Sequence, residues 1–128
     1  MSDFQTPAQQ IGPSKKTGAG TWKIERLTSV LLVPLTLWAL FGVTQFAGGG
    51  YEAATAWLRE PLNAGLLLLT LAISLWHMVL GMNVVIEDYV HGALGRLLLL
   101  LNALAGWALF IAGAGAIAAV FLGHDFGV

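Results

Sequence analysis

Three stretches of this chain carry no charged side chain, and each is longer than the ~20 apolar residues that cross ~30 Å of hydrocarbon as a helix. They are residues 27–51, 61–86 and 97–123. A buried helix of a soluble domain is usually shorter, so three bilayer crossings are the economical reading. Composition agrees: 57% of the 128 residues are hydrophobic and 10% are charged, against roughly 25% charged in an ordinary soluble domain. The expected fold is all-α and membrane-embedded, with helices over about 24–46, 62–89 and 94–122.

The punctuation between the stretches fits. Gly48-Gly49-Gly50 closes the first helix, and Pro61 suits the first position of the second. His91-Gly92 makes the turn into the third. Between the first two spans, residues 51–60 can form an interfacial turn of helix with Tyr51 and Trp57 at headgroup level. Pro34 is expected to bend the first helix mildly. Residues 1–21 are rich in Gln, Gly, Pro, Ser and Thr and read as a flexible polar tail, leaving 22–128 as the membrane domain. The first apolar stretch is too long for the core of a cleaved secretory signal.

Lys15, Lys16, Lys23 and Arg26 precede the first span and Arg96 follows the second, while Arg59 stands alone on the opposite side. This asymmetry predicts that the N-terminus and the 87–96 loop face the cytoplasm and that the C-terminus faces outward. The chain has no cysteine, so it cannot by itself build a disulfide, a thiolate metal site or an iron–sulfur cluster.

Function must then rest on polar residues placed where they cost energy. His77 lies deep in the second span, and ionisable residues there usually face a bundle interior and mark a site. At 100° per residue, Asn63, Thr70, Ser74, Gly81 and Asp88 fall within about 60° of it. Such a stripe serves helix packing. It also leaves room, at Gly81, for a flat ligand against the helix, and haem is the ligand that needs an imidazole in an apolar slot. Asp88 and Tyr89 lie about 16 Å further along the axis, where a carboxylate and a phenol can serve a small polar head group or simply end a helix.

His77-Met-Val-Leu-Gly81, followed by Val84-Val85-Ile86-Glu87-Asp88-Tyr89-Val90-His91, resembles the pattern of the smaller hydrophobic anchor subunit of succinate dehydrogenase. The likeness extends in helix number and topology over most of residues 22–123. It implies half of a haem-binding helical bundle, completed by a partner anchor subunit. His77 would be an axial ligand of haem b, and so of its iron. Tyr89 would hydrogen-bond a ubiquinone carbonyl, with Asp88 beside it at the quinone site. Arg26 would reach a haem propionate or the quinone site, or a lipid phosphate; Ser29 is a weaker candidate one turn further in. His91 could join a proton path, and His124 is incidental.

The implied partners are the second anchor subunit, an iron–sulfur subunit and a flavoprotein subunit, with a trimer of that heterotetramer as one assembly. Membrane lipid is a further partner and nucleic acid is not. The chain would be non-catalytic alone, working in electron transfer from succinate to quinone in a bacterial inner membrane. The competing reading is a non-redox assembly or transport subunit in which His77 only packs helices.

Overall fold

The computed structural model describes residues 12–124, with side chains from Gly20 onward except Thr21. The rest of the expected tail, residues 1–11, and residues 125–128 lie outside the described set. Four helices follow one another: α1 (Gly12–Phe46), α2 (Gly50–Arg59), α3 (Pro61–Tyr89) and α4 (Gly92–Phe121).

Three of them contain the spans. Trp22–Phe46 has 25 residues, Pro61–Tyr89 has 29 and Gly92–Phe121 has 30, so each is about 37 Å or longer at 1.5 Å per residue. The second and third match the expected ranges closely. The first starts earlier than Ile24, because α1 reaches back to Gly12 through part of the stretch read as a tail. Hydropathy is silent there, whereas helix formation asks only for tolerable residues. Pro13 sits in the first turn, where a missing N–H leaves no intrahelical bond unmade. The helix also continues through Pro34.

The connections follow from backbone chemistry. Gly50 at φ 67° opens α2 and Gly92 at φ 72° opens α4, and that left-handed region is open to glycine without a Cβ penalty. Glu60, immediately before Pro61, is extended at ψ 125°, as the proline ring requires of its predecessor. A single residue therefore separates α2 from α3. Glu52 in the first turn of α2 and Arg59 in its last both complement the helix dipole.

α3 is the middle helix. It packs on α1 along one side and on α4 along another, while α1 and α4 do not meet among the described residues. The buried apolar residues are few: Ala64, Ile73, Ile86 and Val120. Leu27, Val30, Val33, Leu37, Trp76 and Trp107 are all more than half exposed, the inverse of a soluble core and the arrangement expected where lipid covers the surface.

Without a hydrophobic drive between helices, close approach and polar links hold the bundle. A Cβ on Gly106 of α4 would lie 2.5 Å from Val79 Cγ2, and one on Gly113 would lie 2.6 Å from Leu71 Cδ2. Both glycines therefore admit α3 side chains that any larger residue would push away. Beside this seam, Asn102 Nδ2 donates to the Val79 carbonyl at 3.0 Å and to Asn83 Oδ1 at 2.8 Å. At the far end, Arg59 Nε donates to the Val120 carbonyl at 3.1 Å, tying α2 to the C-terminus of α4. Trp57, expected at headgroup level, lays its ring against Trp38 and Phe46 at centroid distances of 5.6 and 5.3 Å.

Candidate functional site

α1 and α3 run side by side so that Thr28 meets His77, with Thr28 Oγ1 2.9 Å from His77 Nδ1. Thr28 is 2% exposed, the lowest exposure among the buried polar residues. Its hydroxyl also donates to the Glu25 carbonyl one turn back at 2.9 Å. A threonine hydroxyl has one proton and two lone pairs. With that proton given to Glu25, the oxygen can only accept from the imidazole. The ring nitrogen facing Thr28 is then the N–H, and Nε2 keeps its lone pair with no hydrogen-bond partner among the described residues.

The stripe around His77 divides by level. Thr70 donates to the Leu66 carbonyl of its own helix at 2.7 Å, and Asn63 donates across to the Trp57 carbonyl at 3.0 Å. Ile73, one turn before His77, shares the stripe and is buried, so this face is less polar than its small residues suggest. Nothing lies within 4 Å of where a Cβ on Gly81 would stand. The helix surface one turn beyond His77 is therefore open to a flat neighbour. An imidazole whose Nδ1 is engaged by Thr28 and whose Nε2 has no hydrogen-bond partner among the described residues, beside an open glycine, could hold haem iron.

Asp88 and Tyr89 end α3. Both are exposed, Tyr89 at 81%, and neither bonds another described residue. The structure thus separates them from the Thr28–His77 pair. Arg26 is exposed, with its guanidinium over the Trp22 ring at 5.3 Å, and it forms no ion pair among the described residues. Ser29 donates its hydroxyl to the Glu25 carbonyl at 2.8 Å. His91 is exposed where α4 begins. Glu25 has one carboxylate oxygen buried with no hydrogen-bond partner among the described residues.

An apolar cavity of about 390 Å³ lies between α3 and α4, lined by residues that include Ala72, Trp76, Val79, Gly106, Trp107 and Phe110. None of the expected site residues lines it. Among the described residues no group of three or more His, Asp or Glu side chains gathers to hold a metal ion.

Thr28 is the residue that sequence reasoning missed. Nothing at its position marks it out from the other hydroxyl residues of α1, and only the register between two helices reveals it.

Comparison with known proteins identifies the family. The model of the family described as succinate dehydrogenase/fumarate reductase transmembrane subunit matches residues 5–122. A succinate dehydrogenase hydrophobic membrane anchor subunit of Rickettsia felis is 36% identical over 81 residues, covering 63% of this chain and 68% of the relative. One of Rickettsia typhi is 37% identical over 78 residues, covering 61% and 62%. The succinate dehydrogenase membrane anchor subunit of Reclinomonas americana is 33% identical over 85 residues, covering 64% and 71%. No solved structure gives a significant match. With three apolar spans, the middle one packed on both others, and a family match over nearly its whole length, the chain belongs to the succinate dehydrogenase/fumarate reductase transmembrane subunit family.

Proposed function

We propose that the chain works as the membrane anchor subunit of a succinate:quinone oxidoreductase, non-catalytic alone, holding one side of haem b through His77 and one side of the ubiquinone site through Asp88 and Tyr89. The observation that carries this reading is the His77 ring, whose Nδ1 is engaged by Thr28 while Nε2 has no partner among the described residues. The second axial ligand would come from a partner anchor subunit. Haem bound there supplies a one-electron centre inside the bilayer.

The chain's own contribution is placement. α3 sets His77 within the span and Tyr89 at its end, so ligand and quinone contacts share one rigid rod. Tyr89 presents an O–H donor outside the bundle, where a quinone carbonyl can reach it, and Asp88 beside it can hold or pass a proton at that surface. Arg26 offers guanidinium donors, paired with no carboxylate among the described residues, to an anionic group such as a propionate or a lipid phosphate. The flavin and iron–sulfur chemistry belongs to the peripheral flavoprotein and iron–sulfur subunits, since this chain has no cysteine. The assembly so proposed sits in a bacterial inner membrane, as the heterotetramer or a trimer of it.

The test is the visible spectrum of the purified complex. A reducible b-type Soret band that is perturbed or lost in His77→Ala, with membrane insertion unchanged, is the expected result. An unchanged low-spin spectrum in that variant would remove His77 from the ligand set. A second reading draws on the same Thr28 bond, which is also what an imidazole used only to link two helices would make. A colourless complex would favour it.

A further inference from the structure

We propose that Thr28 is the positioning residue of His77: it fixes the imidazole in the Nδ1–H tautomer and holds the ring so that Nε2 is the iron-binding nitrogen. This rests on the reading of His77 as a haem ligand.

The argument turns on one proton. Thr28 Oγ1 lies 2.9 Å from the Glu25 carbonyl and 2.9 Å from His77 Nδ1. With its proton donated to the Glu25 carbonyl, the hydroxyl presents an oxygen lone pair to the imidazole. The backbone of α1 therefore dictates the tautomer of a side chain on α3. Thr28 is 2% exposed, so no solvent competes for that lone pair, and the β-branched side chain has little rotamer freedom in a helix. An acceptor on the remote nitrogen orients a ligating imidazole and raises its basicity, and losing such a partner typically costs about 10–100-fold in metal affinity. A more basic ligand favours ferric over ferrous iron. Removing the acceptor should move the midpoint potential upward.

Thr28→Val keeps the shape and removes the oxygen, whereas Thr28→Ser keeps the oxygen and removes a methyl group. In the purified complex, Thr28→Val should bind haem more weakly, or retain it at a higher midpoint potential in a redox titration of the b-type band. Thr28→Ser should return both towards wild type. Wild-type occupancy and potential in Thr28→Val would overturn the proposal. So would equal impairment of the two variants, because lost packing would then account for both.

A second measurement does not depend on haem. Ring nitrogen-15 spectra of the haem-free chain in bilayers, assigned through the signals missing in His77→Ala, should show His77 protonated on Nδ1, with that preference lost in Thr28→Val. A wild-type ring protonated on Nε2 would overturn the tautomer assignment. If His77→Ala instead leaves the low-spin spectrum intact, the ligand reading fails while the nitrogen spectra still report on the Thr28 bond.

Discussion

Tyr89 and His77 stand on one helix in opposite circumstances. His77 is half-buried and held by another helix, while Tyr89 is 81% exposed and bonds no described residue. A phenol so placed can serve a ligand arriving from outside the chain. Reduction puts negative charge on a quinone carbonyl, so a donor aimed at that oxygen stabilises the transition state more than the oxidised ground state. Tyr89→Phe removes only the hydroxyl. The complex carrying it should still oxidise succinate with an artificial acceptor that draws electrons upstream, yet lose quinone reductase activity on the order of 10²-fold. Near-normal quinone reduction would put the quinone elsewhere. His77 and Tyr89 were both legible in the sequence because one breaks an apolar run and the other closes it. Thr28 was not, since hydroxyl groups that bond their own helix are common in membrane spans, and nothing in the sequence says which of them faces a partner.

At the scale of the helix, the seam between α3 and α4 combines two glycine contacts with one amide link. Asn102 donates both amide hydrogens across it, to the Val79 carbonyl and to Asn83 Oδ1. Interhelical bonds of this kind are worth about 0.6–2 kcal/mol in a membrane. Asn102→Leu should therefore lower the temperature at which the complex loses subunits, and Asn83→Leu should lower it less, because the bond to Val79 survives. Thermal dissociation followed by native gel electrophoresis compares them, and equal stability of Asn102→Leu and wild type would show the link to be idle. Helix number, the glycine breaks and the proline start of α3 were readable from hydropathy and turn chemistry. The Asn102–Asn83 link and the early start of α1 were not. The first depends on interhelical register, which apolar periodicity does not encode in helices that are hydrophobic all round, and the second lies in polar sequence where periodicity has nothing to report.

At the scale of the whole molecule, the charge distribution predicts an orientation. Lys15, Lys16, Lys23 and Arg26 lie before or in the first turns of the first span and Arg96 opens the last, with Arg59 alone at the other end, so the N-terminus and the 87–96 loop are expected on the cytoplasmic side. An alkaline phosphatase fusion after Val128 should be active and a green fluorescent protein fusion there dark; the reverse pattern would invert the topology. On the proposed function, that orientation would put Asp88 and Tyr89 on the face where the peripheral subunits deliver electrons. The open arrangement of the three spans has a consequence for how the protein is made. Because α1 and α4 do not meet among the described residues, the interfaces between long helices seen there each join a segment to the one synthesised next to it in the membrane. The Thr28–His77 pair can form as soon as α3 has entered the bilayer, before α4 exists, and α4 then docks on a surface already in place. Maturation can thus proceed in the order of translation, with no earlier contact needing to be undone.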